Sequence, residues 1–172
     1  MAGSVSNVEV CNLAFSGQLE ELRQAILSNK ALASKADQDG RTALHWACSA
    51  GHTEVVEFLL SLGVEVNLQD DVSFVQSGVA LSPAAWTPLH IAASAGREDI
   101  VRSLIGKGAQ LNSVNQNGCT PLHLACDEER VEAAKLLVEH GASIYIENKE
   151  EKTPLQMAKG GLGNILRRIV EG

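Results

Sequence analysis

The chain is expected to fold as an all-α solenoid of about five helix-turn-helix units that carry short β-hairpin fingers. Three observations support this. A hexapeptide, Thr87-Pro88-Leu89-His90-Ile91-Ala92, recurs as Thr42-Ala43-Leu44-His45-Trp46-Ala47, Thr120-Pro121-Leu122-His123-Leu124-Ala125 and Thr153-Pro154-Leu155-Gln156-Met157-Ala158. Thr87, Thr120 and Thr153 follow one another at 33 residues, and Thr42 precedes Thr87 by one such period plus 12. Complete copies are followed by a second apolar stretch ending at Gly63, Gly108 or Gly141, residues able to take the left-handed conformation that closes a helix. A fixed period of this length means supersecondary units stacked in a row, because one unit cannot bury its own apolar face.

The hexapeptide is a helix start. Threonine caps the N-terminus, and proline at the first helical position lacks an N–H that would have had no partner there. Leucine and alanine face inward, and the histidine is read as a structural hydrogen-bonder that ties the helix entry to neighbouring backbone. Turns at Gly51 and Gly96 lead into second helices, marked by residues 54–60, 100–105 and 131–137.

Residues 1–172 are read as a single domain. Residues 7–39 form a degenerate first unit in which Cys11 to Phe15 replace the hexapeptide and Leu19 to Leu27 form an amphipathic second helix. Residues 40–71 are the first complete unit. Residues 72–85 are fourteen residues without a charge; about two are needed there, so about twelve are an insertion at the finger, and loop closure tolerates such length. Two readings stand side by side: an irregular loop with no role, and a longer finger that uses Phe74, Val75 and Leu81 to touch or block a partner. Residues 86–117 and 118–150 are further units. In the latter Glu129 stands where a glycine is expected, so the turn is expected to tighten or lengthen. Residues 151–172 form the last unit, where Gln156 replaces histidine and Leu162, Ile165, Leu166, Ile169 and Val170 keep one apolar stripe. Terminal units have a neighbour on one side only, so both degenerate units read as caps and both ends as real ends.

Composition narrows the function classes. Hydrophobic residues make up 45% of the chain and aromatics 3%, as a core of Leu, Val and Ala requires. A formal charge of −7 argues against nucleic-acid binding, which needs clustered cations, and favours a basic partner. Cys11, Cys48, Cys119 and Cys126 include no CxxC pair and read as small core residues in a reducing compartment. No run reaches the ~20 apolar residues of a spanning helix, and the first fifteen residues lack a secretory pattern. His45, His90 and His123 lie one period apart, hence ~10 Å from each other in a stack, too far to share a metal. With no phosphate loop, nucleophile elbow or HExxH, the expectation is no catalytic residue, no metal and no cofactor.

A 33-residue period with a Thr-Pro-Leu-His-x-Ala core resembles the ankyrin-repeat family over nearly the whole chain. Residues 10–17 (VCNLAFSG), 41–52 (RTALHWACSAGH), 115–123 (NQNGCTPLH) and 144–155 (IYIENKEEKTPL) are similar, beyond the general pattern, to a branch of that family associated with the proteasome regulatory particle. That branch has about seven repeats where five are counted here. The joint near Asn117 keeps the 33-residue phase, so stacking is expected to survive.

The resemblance implies a concave surface lined by finger tips and the exposed ends of the first helices. Carried onto this chain, its partner-binding residues are Asp39, Arg41, Trp46 and Ser49, then Asp70, Asp71 and Trp86, and finally Gln116, Asn117, Asp127 and Glu128. It implies a non-enzymatic assembly chaperone that holds the C-terminal domain of a proteasomal ATPase subunit, acting as a monomer in cytoplasm and nucleus without nucleic acid or membrane. The alternative is an adaptor in cell-cycle control and apoptosis that engages the retinoblastoma protein, a cyclin-dependent kinase or a ubiquitin ligase. Leu124, Cys126 and Glu128 match LxCxE, the motif that docks on the retinoblastoma protein. Such motifs bind extended, whereas Leu124 and Cys126 belong here to a capped helix with core-facing positions, so core packing is the stronger reading.

Overall fold

The computed structural model describes residues 6–71, 75–76, 79–80 and 85–172. Among these residues the helices pair as five units: α1 (Asn7–Ser16) with α2 (Leu19–Ser28), α3 (Ala43–Ala50) with α4 (Thr53–Ser61), α5 (Pro88–Ala95) with α6 (Glu98–Gly106), α7 (Pro121–Asp127) with α8 (Val131–Glu139), and α9 (Pro154–Met157) with α10 (Leu162–Glu171). First helices pack in the order α1, α3, α5, α7, α9, and second helices as α4, α6, α8, α10. The shared core is aliphatic, with Leu22, Leu44, Leu59, Leu89, Leu104, Leu122, Leu137 and Leu166 fully buried. Each such leucine contributes about 1.5–3 kcal/mol by leaving water.

The recurring hexapeptide is built as its chemistry requires. Thr87, Thr120 and Thr153 each accept at Oγ1 the N–H three residues on, at 3.3 Å. The histidine closes the reciprocal half of the box: the Nδ1 atoms of His45, His90 and His123 accept the N–H of Thr42, Thr87 and Thr120 at 3.1, 3.1 and 2.9 Å. With Nδ1 an acceptor, Nε2 must carry the proton. It donates across the stack to the carbonyls of Leu68, Cys119 and Lys152, each at 2.9 Å. Each histidine therefore caps its own helix and binds the following segment. In the last unit Gln156 keeps only the cap, its Oε1 accepting Thr153 N–H at 2.8 Å.

A second set of bonds runs in the opposite direction. His52, Arg97, Arg130 and Lys159 donate to carbonyls at the ends of the preceding first helices, those of Phe15, Ser49, Ser94 and Asp127, at 2.9, 3.3, 3.0 and 3.4 Å. All four satisfy last-turn carbonyls, and the cationic Arg97, Arg130 and Lys159 also complement the helix dipole. Gly96 is required by this arrangement: φ is 72°, and a Cβ there would stand 2.9 Å from Arg130 Cδ.

Two expectations are corrected. The turn at Glu129 is neither tightened nor lengthened; Glu129 itself takes the left-handed conformation, φ 58°. Glu129→Gly is therefore expected to stabilise the fold by about 1 kcal/mol, measured by urea unfolding, because the Cβ clash disappears. The fingers, expected as β-hairpins, are mostly turns closed by the side chains of Asp37, Asn115 and Asn148. Strand pairing among the described residues is confined to the insertion, where Val75–Gln76 (β1) pairs antiparallel with Val79–Ala80 (β2) in the register Val75↔Ala80. The side chains of Phe74, Val75 and Leu81, to which only the longer-finger reading gives a partner-touching role, lie outside the described residues.

Candidate functional site

Two clefts lie along the ends of the first helices and their fingers. The first, about 390 Å³, is bounded by Val8, Cys11, Asn12 and Phe15 of α1, by Asp37, Gln38 and Asp39, and by Trp46 of α3. The indole of Trp46 donates to Asp37 Oδ2 at 2.9 Å, and the Phe15 ring meets it edge-on with centroids 5.8 Å apart. The Arg41 guanidinium stands 5.0 Å from the Trp46 ring centroid. Phe15 is nevertheless 50% exposed and Val8 60%. The cleft thus offers apolar surface beside carboxylates, a combination that takes an aliphatic-stemmed cation.

The second cleft, about 340 Å³, is bounded by Arg41, Ser49, Trp86, Ile91, Ser94, Ala95, Glu128 and Arg130. Arg41 and Trp46 lie on α3 or at its start, and Trp86 stands just before the cap of α5. Arg41 and Trp86 occupy the same position in successive units, each just before the capping threonine, and both line this cleft. Rigid elements that hold half-buried aromatic groups beside charges are what an interface centre needs.

The structure brings Asp39 and Trp46 together in the first cleft, and Arg41, Ser49, Trp86 and Glu128 in the second. Asp71 is exposed and its N–H donates to Asp39 O at 2.8 Å, so the first two fingers touch. Gln116 and Asn117 are exposed on the next finger, and the Asn117 carbonyl accepts Lys149 N–H at 2.9 Å. Asp127 is exposed at the end of α7. Asp70 departs from expectation: it is 4% exposed and its carboxylate is taken by Arg41 Nε at 2.9 Å and Trp86 N–H at 2.9 Å, so it is no surface contact. Phe15, Val8, Asp37 and Arg130 line the clefts and escaped the sequence reading. The signal for Asp37 was present, since Asp or Asn stands five residues before Thr42, Thr120 and Thr153.

The LxCxE match lies within α7 and its end. Leu124 is half-buried, Glu128 exposed and Cys126 fully buried. Burial, reinforced by Asp127, pushes the Cys126 thiol up to about 12, as befits a core group. Extended docking of this segment requires α7 to unfold locally. Among the described residues no group of three His, Cys, Asp or Glu could hold a metal, and no helix is long and apolar enough to cross a membrane.

Comparison with known families agrees with this geometry. Ankyrin repeats (3 copies) match residues 73–148 and 89–171, and a single ankyrin repeat matches residues 39–71. The chain belongs to the ankyrin-repeat family. Within that family it is similar to the 26S proteasome non-ATPase regulatory subunit 10, known as gankyrin: 68% identical over 74 residues to the Homo sapiens protein, an alignment covering 43% of this chain and 33% of that one. The Mus musculus and Rattus norvegicus proteins are each 65% identical over 74 residues, covering 43% of this chain and 32% of theirs. The matched stretch thus spans about a third of the length of these relatives.

Proposed function

We propose that the concave surface binds a basic helical domain, the C-terminal domain of a proteasomal ATPase subunit, and that the chain serves as a non-enzymatic assembly chaperone of the proteasome regulatory particle. The 74-residue stretch 68% identical to a proteasome regulatory subunit carries this reading. The clefts support it: Trp46, Phe15 and Trp86 provide apolar anchors, and Asp39 and Asp71 place carboxylates on adjoining fingers at the rim. In a chain of formal charge −7 such a rim draws a basic partner and sets its orientation. A cytoplasmic and nuclear location follows from the same reading.

Replacing Asp39 and Asp71 together by lysine tests it. Affinity for the ATPase domain is expected to fall by roughly tenfold at low salt, mainly through the association rate, with a smaller deficit at high salt where exposed charges are screened. Stopped-flow association across a salt series measures this, and identical rates at low salt would contradict the proposal.

A further inference from the structure

The four fingers close at their bases with one pattern of bonds. Asp37 donates its N–H to Arg41 O at 2.8 Å, accepts Gly40 N–H at its carbonyl at 3.0 Å, and accepts Arg41 N–H at Oδ1 at 3.0 Å. Asn115 repeats these bonds with Gly118 and Cys119 at 2.9, 2.9 and 3.0 Å, and Asn148 with Glu151 and Lys152 at 2.9, 2.9 and 3.1 Å. The farther partner is always four residues on. Asp70 makes the same three bonds at 2.9, 3.0 and 2.9 Å, but with Ala85 and Trp86, so that its partner lies sixteen residues on. Ala85 even takes the left-handed conformation of its counterparts, φ 71° beside 71° for Gly40, 74° for Gly118 and 62° for Glu151. The chain leaves and re-enters the finger without altering its base.

Asp70 also differs from Asn115 and Asn148. Its second carboxylate oxygen accepts Arg41 Nε at 2.9 Å, and Arg41 shares the second cleft with Trp86. The Asp70 side chain is 1% exposed, so a docked protein would not touch it.

We infer that Asp70 is a positioning residue: it locks Trp86 and Arg41 into the cleft and insulates both from the inserted segment. In a regular finger the partner backbone is four residues away and the short chain itself keeps the ends close. Across sixteen residues the covalent connection restrains Trp86 far less, so the side-chain clamp carries more of the task. The inserted sequence is then free to vary without moving the anchor. This inference rests on the groove being the binding surface proposed above.

The test uses the full chain with Trp46→Phe, which leaves Trp86 as the single indole of the two. Asp70→Ala is expected to raise acrylamide quenching of Trp86 at least twofold and to red-shift its emission. Asp70→Asn is expected to leave both near the parent, because an amide oxygen accepts the N–H as Asn115 and Asn148 show. Deleting residues 73–84 returns Trp86 to four residues after Asp70; it is expected to leave quenching unchanged and to shrink the effect of Asp70→Ala by at least half. The inference is overturned if Asp70→Ala quenches like the parent, if Asp70→Asn is as damaging as alanine, or if the deletion alone doubles quenching. Should Asp70→Ala fail to fold, by circular dichroism, Asp70→Asn and the deletion are judged against the parent alone: quenching near the parent in both sustains the inference, and a twofold rise in either overturns it. With Trp46 restored and the ATPase domain as probe, Asp70→Ala is expected to weaken binding at least fivefold and Asp70→Asn by an intermediate two- to fivefold, because the amide oxygen keeps Trp86 while the amide NH2, a donor, releases Arg41. Quenching that responds as expected while the ATPase domain binds no form sustains the positioning role and removes the partner assignment. Unchanged quenching with intact ATPase binding does the reverse.

Discussion

Leu122→Ala is expected to cost about 2–5 kcal/mol of folding free energy, the range for a buried leucine truncated in a core that relaxes only in part. Leu122 is fully buried on α7, and α7 packs between α5 and α9 while also meeting α8. The lost methyl groups therefore sit where two inter-unit contacts and one intra-unit contact converge. In a solenoid each unit depends on its neighbours, so the effect spreads beyond its own unit. For a chain of this length the loss corresponds to a Tm lower by about 10 °C. Leu62→Ala is the control: that side chain is 46% exposed, and its truncation is expected to change stability by no more than about 0.5 kcal/mol. Urea unfolding of both variants decides the matter. A Leu122→Ala loss below ~1 kcal/mol would mean that the stack is not held by these inward leucines.

The residues that made the fold legible are the ones whose roles are local. Thr87, Pro88 and His90 act within one turn of helix, so their spacing alone announces the helix start, and the same two bonds between threonine and histidine recur at Thr120. The 33-residue period then fixes the stacking without any contact being known. The site was less legible, for the same physical reason. Asp70 looked like a surface carboxylate because its exposure depends on Arg41 and Trp86, residues 29 and 16 positions away. Phe15 lies in a unit that lost its hexapeptide, so nothing in the repeat marks it as facing Trp46. The fingers were expected as paired strands, yet an Asp or Asn side chain accepting backbone N–H groups closes a turn without a ladder. Glu129 shows the limit of a rule based on preference: its φ of 58° is the glycine conformation, adopted because the helices on either side demand it.

Acid should loosen this stack, and His90 should contribute to the effect. Burial is the largest influence on its imidazole and pushes it down to about 4 from an ordinary 6.5, against smaller opposing contributions from the Cys119 carbonyl, Asp70 and the Ser113 backbone. The geometry agrees: Nδ1 already accepts Thr87 N–H and Nε2 already donates to Cys119 O, so a second proton, on Nδ1, would face the Thr87 N–H donor and leave it unpaired. Burial also lowers His45 and His123, in the same direction. Between pH 6.5 and about 4 the unfolded chain binds a proton at this position that the folded chain refuses. Stability from His90 is therefore whole above pH 6.5, falls as pH drops through that window and levels off below about 4. The change from this residue amounts to roughly 3 kcal/mol. His90→Gln should remove it while keeping the helix start, because Gln156 shows that an amide oxygen can accept the threonine N–H. The variant is expected to be less stable at pH 7, having lost the reach to Cys119, and to show a flatter profile on acidification. Urea unfolding at half-unit steps from pH 7.5 to 4 would reveal it. A profile as steep as that of the parent would place the acid sensitivity elsewhere in the chain.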